Sequence, residues 1–141
     1  MDKKDLSINL GKLKSLDKHK IKLEQYETDI KTAVSFLWFV YENDGIYGKD
    51  IADFGCGNGI LGIGAALLGA KNVDFYDIDK DALEICIYNV KQFNFDFSIL
   101  NQDFFDVNKH YDTIISNPPF GIKSNFDILI FLYIFDIYNF L

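Results

Sequence analysis

The stretch from Ile51 to Leu68, which reads IADFGCGNGILGIGAALL, decides the fold. Its first four residues are typical of a short buried strand, and the run from Ile60 onward is apolar enough to form a buried helix. The glycines between them permit positive φ angles and a close approach of another molecule to the backbone. The stretch therefore predicts a strand, a tight turn and a helix whose first N–H groups are open to a ligand.

The alternation of strand-like and helical patterns continues downstream. Three more β-rich runs follow, namely NVDFYDID (72–79), FDFSIL (95–100) and DTIIS (112–116), and an amphipathic helix is predicted from about Asp81 to Phe93. Such alternation favours parallel strands joined by right-handed crossovers. We therefore predict an α/β fold, a doubly wound, mostly parallel Rossmann-like sheet that binds ligands at the carboxyl ends of its strands.

Two helices are predicted before this region. The first has leucines at helical spacing, Leu6, Leu10, Leu13 and Leu16, and the second covers Ile30 to Tyr41. The 141 residues are enough for one domain with a core and too few for two full domains. We expect a single domain made of an N-terminal helical segment (1–45), a cofactor-binding core (50–122) and an atypical apolar tail (123–141).

The charge is distributed unevenly along the chain. The 14 lysines and 21 acidic residues give a net charge of −7, so the overall field repels a phosphate backbone. Residues 1–31 hold eight lysines and six acids, a local charge of +2 that leaves −9 for the rest. Any basic patch must therefore be N-terminal, and with no arginine in the chain it cannot make bidentate phosphate contacts.

Cysteine content and hydropathy exclude several classes of protein. Cys56 and Cys86 are too few for a disulfide framework or a structural metal ribbon, which favours reduced thiols and no metal site. The longest apolar run, Ile128 to Phe135, is far shorter than the roughly 18 residues of a membrane helix. The N-terminus lacks the apolar core of a signal peptide. We expect a cytoplasmic protein without a membrane span.

The glycine-rich turn is the first candidate binding site. Six of its residues are candidate cofactor contacts: Asp53, Gly55, Gly57, Asn58, Gly59 and Ile60. Because Gly57, Gly59 and Gly62 also satisfy the dinucleotide fingerprint G-x-G-x-x-G, a nicotinamide cofactor remains an alternative at this point. A turn without any ligand is the plainer interpretation.

Four acids lie at or after the ends of the second and third predicted strands. Asp77 lies about twenty residues beyond the glycine turn, where a carboxylate accepts the two hydroxyls of an adenosyl ribose. Asp79 and Asp81 are typical of a helix start, and Asp81 with Glu84 has the spacing of a capping box. Asp103 is a candidate acceptor for an adenine amino group or, equally, an exposed loop acid.

The sequence Asn117-Pro118-Pro119-Phe120 after the fourth predicted strand indicates the class of chemistry. The nitrogen of an aromatic or amide amine is a poor nucleophile because its lone pair is delocalised. The Asn117 side-chain oxygen and the Pro118 carbonyl can accept its N–H hydrogen bonds and stabilise the charge that develops during attack. The two prolines stiffen this turn, and Phe120 can stack on a flipped-out or single-stranded base.

Taken together, these motifs resemble the class I S-adenosylmethionine-dependent methyltransferases that act on amino groups. A narrower similarity is to the archaeal and eukaryotic methyltransferase-like proteins that N6-methylate an adenosine in small-subunit ribosomal RNA. The segments that carry this resemblance are LEQY (23–26), Thr28, ADFGCGNGILGIGAALLGA (52–70), YDIDKDALEI (76–85) and ISNPPFG (115–121). It covers roughly residues 20 to 122.

The resemblance implies a role for each matching residue. Gln25 and Thr28 would reach the methionine end of S-adenosylmethionine, with Tyr26 packed beside them. The glycine turn would line the cofactor, Asp77 would hold its ribose, and Asp103 with Phe104 would bracket the adenine. Ile78, next to Asp77, is a further candidate cofactor contact. Residues 117–120 would hold the target amine. The eukaryotic members of the family also work with a small zinc-ribbon activator subunit, which is the expected partner besides RNA.

The sequence departs from the family pattern in two places. Glu27 stands where the family usually has proline, which places a charge near the cofactor entrance. Only 21 residues follow Phe120, whereas the family continues through further strands and helices. We therefore expect a C-terminally truncated sheet without its last strands, with the apolar tail either exposed at an edge or closing a minimal core.

Three alternatives to RNA methylation remain open on the sequence. The same motif serves other planar amines, such as a protein glutamine or guanine N2. A truncated remnant could bind cofactor without turnover or fail to fold. A dehydrogenase is the most distant alternative, because only the glycine spacing favours it.

Overall fold

The computed structural model describes residues 1–16, 28–117 and 132–134. The helices in this part are α1 (Lys3–Leu10), α2 (Ile30–Glu42), α3 (Ile60–Leu67) and α4 (Lys80–Val90). The strands are β1 (Asp50–Phe54), β2 (Asn72–Tyr76), β3 (Phe97–Leu100), β4 (Thr113–Ser116) and β5 (Leu132–Ile134). A single 3-10 turn spans Phe104–Asp106.

The five strands form one sheet in the order β3-β2-β1-β4-β5. The first four are parallel to one another, and β5 pairs antiparallel with β4. The predicted α/β fold with a mostly parallel sheet is confirmed, and the four predicted strands all form. β5 lies within the predicted apolar tail, whose other residues are outside the described part. The division into three segments stays a prediction.

The central strand β1 sets the position of the functional edge. Its residues are buried from Ile51 to Phe54, as expected of a strand with neighbours on both sides. Phe54 is in register with Tyr76 of β2 and with Ser116 of β4. The three strands therefore end at the same level, and the residues that follow them lie side by side.

All four helices cover one face of the sheet. Their apolar residues share one core with the strand residues that face them, which include Leu6, Leu10, Leu37, Ile51, Ile63, Phe75, Cys86 and Ile115. The opposite face carries a smaller cluster of Ala52, Phe54, Tyr76, Tyr111 and Ile114, packed by Leu100 and Val107. The larger core holds α3 and α4 against β1 and β2. Because the glycine turn joins β1 to α3, both of its ends are fixed by this packing.

The first predicted helix is shorter than its leucine pattern indicates. Helix α1 has Asp2 as its N-cap, whose side chain accepts the Asp5 N–H in a capping box, and it ends at Leu10 with Gly11 as its C-cap. The leucine spacing does not reveal this end. Leu16 is buried although it lies beyond the helix, so it still fits the pattern of a buried helix face. Glycine is costly inside a helix, and from Gly11 the chain runs in irregular conformation toward the glycine turn.

Candidate functional site

The glycine turn between β1 and α3 has the conformation that its sequence requires. Gly55, Gly57 and Gly59 all have positive φ angles, 66°, 56° and 91° respectively. Gly59 is the N-cap of α3, and a Cβ there would lie 2.9 Å from the Cys86 sulfur. Both the backbone angle and the packing at Gly59 therefore demand glycine, and the turn presents backbone rather than side chains to the cleft.

A hydrogen bond between Asp53 of β1 and Gly62 of α3 holds the two ends of the turn together. The Gly62 N–H donates to Asp53 Oδ2 at 2.9 Å, and a Cβ on Gly62 would lie 2.3 Å from Phe75 Cε1. Gly62 is therefore explained by close helix–strand packing. The third glycine of the fingerprint G-x-G-x-x-G has the same packing role in dinucleotide-binding folds, so Gly62 does not discriminate between the two cofactors.

Burial raises the pKa of the Asp53 carboxyl group. Its side chain is almost inaccessible to water, and this desolvation raises the pKa from 3.8 to about 8 despite the Gly62 N–H, with a further contribution from the charge of Asp77. Between about pH 4 and pH 8 the folded protein keeps a proton that the unfolded chain has lost. The free energy of unfolding therefore falls as pH rises through this window.

We expect Asp53→Asn to remove most of this pH dependence. Asparagine keeps an oxygen that accepts the Gly62 N–H but has no charge to bury. Thermal unfolding followed at about pH 5 and about pH 8 should show a smaller loss of stability for the variant than for the parent chain. Asp96→Asn, an exposed change before β3, is the matched control. An unchanged pH dependence in Asp53→Asn would contradict the assignment.

Asp77 follows β2 and holds the glycine turn from the other side. Its Oδ2 accepts the Gly57 N–H and its Oδ1 accepts the Asp79 N–H, both at 2.9 Å. Each carboxylate oxygen has a second lone pair, so both can still accept a bond from a ligand hydroxyl. The neighbouring Ile78 is 71% exposed and offers an apolar surface next to that carboxylate.

The acids near α4 differ from the sequence prediction in one respect. The N-cap of α4 is Asp79, whose carboxylate accepts the Asp81 and Ala82 N–H groups. The prediction of Asp79 as a helix-start residue is therefore confirmed, whereas the predicted capping box of Asp81 and Glu84 is wrong, because Asp81 lies inside the helix. The helix starts earlier because β2 ends at Tyr76 and leaves only a three-residue connection to Lys80.

Asp103 and Phe104 lie after β3, at the same edge of the sheet. Phe104 opens the 3-10 turn, and Asp103 Oδ1 accepts the Phe105 N–H at 3.1 Å. Asp103 is exposed and is not among the described residues that line the cleft. Its predicted contact with an adenine stays a prediction.

A third polar side chain after the strands, Asn101, was not identified from the sequence. Its Nδ2 donates to the carbonyl oxygens of Asp77 at 3.0 Å and Ile78 at 3.1 Å. These bonds join the carboxyl ends of β2 and β3. Asn101 therefore stabilises the backbone on which the Asp77 carboxylate is carried.

The segment after α1 is attached to the glycine turn by a buried amide. Asn89 of α4 accepts the Lys14 N–H at 2.8 Å and donates to the carbonyl oxygens of Lys14 and Asn58, both at 2.9 Å. The Asn58 side chain donates to Lys14 O at 3.3 Å and accepts the Ile60 N–H. This arrangement brings Leu16 into the wall of the cleft.

Asn89 was missed by sequence reasoning, although a signal for it exists. It lies on the buried face of α4 with Ala82, Cys86 and Val90. A buried amide on an otherwise apolar helix face must find hydrogen-bond partners. The sequence does not show that those partners are backbone groups of Lys14 and Asn58, which are distant along the chain.

Asn117 follows β4 and faces the same cleft as the glycine turn. The cleft encloses about 310 Å³, its open mouth included, and its lining combines backbone, polar and apolar groups from Leu16, Thr28, Asp53, Gly55, Cys56, Gly57, Asn58, Ile60, Leu61 and Asn117. Asn117 Nδ2 donates to Thr28 Oγ1 at 2.6 Å. The first residue of the proline motif and the glycine turn are thus on one side of the sheet edge.

Five predicted site residues fall outside the described part of the chain: Gln25, Tyr26, Pro118, Pro119 and Phe120. Of the others, Thr28, Asp53, Gly55, Gly57, Asn58, Ile60 and Asn117 line the cleft. Gly59 caps α3 beneath the turn, while Asp77 reaches the turn through the Gly57 N–H. The functional role of each residue stays a prediction.

The two cysteines are free thiols, as predicted. Their sulfur atoms are 4.0 Å apart, and the contact with Cys86 together with burial raises the pKa of the Cys56 thiol. Among the described residues, no group of three or more His, Cys, Asp or Glu side chains is arranged to hold a metal ion. None of the described helices is long and apolar enough to cross a membrane.

Comparison with known proteins shows one consistent family. The family model described as "Methyltransferase small domain" matches residues 17–136. The rRNA N(6)-adenosine-methyltransferase METTL5 of Danio rerio is 39% identical over 131 residues, which cover 89% of this chain and 63% of that protein. The chain spans less than two thirds of the length of this protein and of similar curated relatives.

Solved structures show the same fold. The Pyrococcus horikoshii protein PH1948 superposes with a TM-score of 0.78 at 43% identity, over 84% of this chain and 60% of that one. The tRNA (uracil-54, C5)-methyltransferase of Pyrococcus abyssi, solved in complex with S-adenosyl-L-homocysteine, matches with a TM-score of 0.57 at 29% identity. That match covers 72% of this chain and 25% of the tRNA enzyme.

Proposed function

The chain belongs to the methyltransferase small domain family. We propose that it transfers a methyl group from S-adenosylmethionine to N6 of an adenosine in structured RNA. Ribosomal RNA is the proposed source of that adenosine, because the similar Danio rerio protein is named for that activity. The observation that carries the proposal is that Asn117 and the glycine turn line one cleft.

The residues around the glycine turn fit S-adenosylmethionine. The turn approaches the cleft with bare backbone, and the Asp77 carboxylate keeps lone pairs for two ribose hydroxyls. Ile78 offers an exposed apolar surface beside that carboxylate for a purine ring. Bound there, the cofactor supplies a methyl group on a positively charged sulfur, which is an electrophile. Family membership favours this cofactor over the nicotinamide alternative.

Asn117 provides the acceptor that an amine needs. The lone pair of adenine N6 is delocalised into the ring, so its attack creates positive charge on nitrogen. A fixed carbonyl oxygen that accepts an N–H bond stabilises this charge more in the transition state than in the ground state. The amine loses its proton after the new bond has formed, so no side-chain base is required before attack. Positioning is then the main source of rate.

The N-terminal lysines favour RNA over a protein acceptor. Lys12 and Lys14 are exposed, and the backbone of Lys14 is tied to Asn58 and Asn89 at the glycine turn. Lys14 Nζ lies 5.5 Å from the centre of the exposed Tyr88 ring. A cationic and aromatic rim beside the cleft suits a nucleic-acid strand, although the chain as a whole is acidic.

Two further proposals concern a partner, which follows from the family resemblance alone, and the cellular location, which follows from the sequence. A small zinc-ribbon subunit is the proposed activator, in keeping with the eukaryotic members, and it would pair with an edge of the sheet. The cytoplasm is the proposed location. Co-purification of the chain with such a subunit, and loss of that association when the metal is removed by a chelator, would test the first of these.

Methyl transfer to defined acceptors tests the proposed function. The chain is incubated with labelled S-adenosylmethionine and either ribosomal RNA or total ribosomal protein, and the products are hydrolysed. Label in N6-methyladenosine is the expected result. Label in guanosine or in protein glutamine would replace the proposed acceptor. If no acceptor is labelled and calorimetry detects no binding of S-adenosylhomocysteine, the cleft of this chain does not bind the cofactor.

A further inference from the structure

The hydrogen bond between Thr28 and Asn117 joins two segments that are 89 residues apart in sequence. Thr28 directly precedes Asp29, the N-cap of α2, whose carboxylate accepts both the backbone N–H and the hydroxyl of Thr32. Asn117 directly follows β4. Each partner is thus placed by the end of a regular element, and both line the cleft.

We propose that Thr28 is a positioning residue for Asn117, restraining at the cleft a carboxamide whose Oδ1 is left for the target amine. The inference rests on the proposed function. A carboxamide has a donor NH2 group on one side and an acceptor oxygen on the other. Because Nδ2 is bound to Thr28 Oγ1, the oxygen lies on the opposite side of the carboxamide, where it can accept a bond from the amine.

Rotation of the carboxamide explains why such a residue is needed. The terminal torsion of asparagine is broad and roughly two-fold, so an unrestrained Asn117 would populate the flipped orientation as well. In that orientation an NH2 group would face the N–H groups of the substrate, and the acceptor would be lost. A flip must break the bond between Nδ2 and Thr28 Oγ1. Because the hydroxyl can also donate to Oδ1, this bond restrains the carboxamide at the cleft before the substrate arrives and does not by itself exclude the flipped form.

This role differs from the one that the family resemblance implies. A Thr28 that contacts the methionine end of S-adenosylmethionine should affect cofactor affinity. A Thr28 that orients Asn117 should affect kcat and leave cofactor affinity unchanged. The two roles therefore separate in one set of kinetic and binding measurements.

The test uses Thr28→Val, which removes the hydroxyl at nearly constant shape, and Thr28→Ser, which keeps it. We expect kcat for RNA methylation to fall about tenfold in Thr28→Val, the order expected for one lost hydrogen bond. The affinity for S-adenosylhomocysteine should stay unchanged, and Thr28→Ser should restore kcat. In an Asn117→Ala background, Thr28→Val should cause no further loss, because its partner is already absent.

Several results would overturn the inference. These are an unchanged kcat in Thr28→Val, a loss of S-adenosylhomocysteine affinity that accounts for the loss of rate, or additive effects of the two substitutions. A parent chain that methylates no RNA would refute the proposed function. In that case nuclear magnetic resonance tests the contact between Thr28 and Asn117 by itself. The Asn117 side-chain amide signals, identified by their loss in Asn117→Ala, should shift in Thr28→Val and return in Thr28→Ser. Signals that do not respond to Thr28→Val would contradict the contact itself.

Discussion

Replacing Asn117 by alanine is expected to lower kcat for RNA methylation by at least about 100-fold, the order found when one preorganised polar group is removed from a transition state. Among the described residues that line the cleft, Asn117 alone follows β4. Its side-chain oxygen is the proposed acceptor for the target amine. Its contribution grows as charge develops on the attacking nitrogen. Single-turnover rates with saturating S-adenosylmethionine and RNA measure the effect on the chemical step.

The affinity for the cofactor provides the necessary contrast. Calorimetry should give the same dissociation constant for S-adenosylhomocysteine in Asn117→Ala and in the parent chain, because the proposed ribose contacts and the glycine turn involve other residues. Asn43→Ala is the matched control. Asn43 is an exposed asparagine that caps the far end of α2, near the amino ends of β1 and β4. A turnover rate in Asn117→Ala equal to that of the control would remove the proposed role.

The second large effect is expected at Asp77. Its carboxylate accepts two backbone N–H groups, one from Gly57 in the turn and one from Asp79 at the start of α4. Asp77→Ala would remove these bonds together with the proposed ribose contacts. Each hydrogen bond to a charged group contributes roughly 1.5–3 kcal/mol, so we expect the affinity for S-adenosylhomocysteine to fall by at least about 100-fold.

Two further substitutions make the Asp77 experiment specific. Asp77→Asn keeps one acceptor oxygen and should fall between alanine and the parent chain in affinity. Asp96→Ala makes the same chemical change at an exposed position before β3, at the opposite edge of the sheet, and should leave affinity unchanged. Near-parental affinity in Asp77→Ala, measured on a chain with an unaltered circular dichroism spectrum, would show that the cofactor is held elsewhere.

The central part of the fold could be predicted because local pattern and tertiary structure agree there. The run from Ile51 to Leu68 shows its strand, its turn and its helix by composition alone, and packing against β2 and β4 changes none of these. The predicted position of Asp77 also holds, since the carboxyl end of a neighbouring parallel strand must lie at the same edge. Periodicity and chain geometry were sufficient.

The same reasoning failed where a distant contact determines the local structure. The leucine pattern continues past Gly11, but α1 ends at Leu10 with Gly11 as its C-cap, and Asn89 of α4 binds the backbone of Lys14 beyond it. A helix cap depends on where the preceding strand ends, and so α4 is capped by Asp79, one of the two predicted helix-start residues, and not by a box of Asp81 and Glu84. The pairing of β5 antiparallel to β4 has no local signature either.

The candidate site divides in the same way. Asn117 and the glycine turn were recognisable because their residue types are unusual and follow strands. The contact of Asn117 with Thr28, and the bonds of Asn101 to the end of β2, connect residues that ordinary polar composition does not distinguish. Such residues support the site without carrying a motif, and only the packing of the chain identifies them.

The central claim is that cofactor and target amine meet in one cleft between the glycine turn and Asn117. An analogue that links the N6 atom of adenosine to the sulfur position of the cofactor occupies both halves at once, and its dissociation constant tests this claim directly. We predict at least about tenfold tighter binding than for S-adenosylhomocysteine, since the second half binds intramolecularly. Asn117→Ala should abolish this gain and leave S-adenosylhomocysteine binding intact. An analogue that binds no tighter than S-adenosylhomocysteine, or whose gain survives Asn117→Ala, would contradict the account.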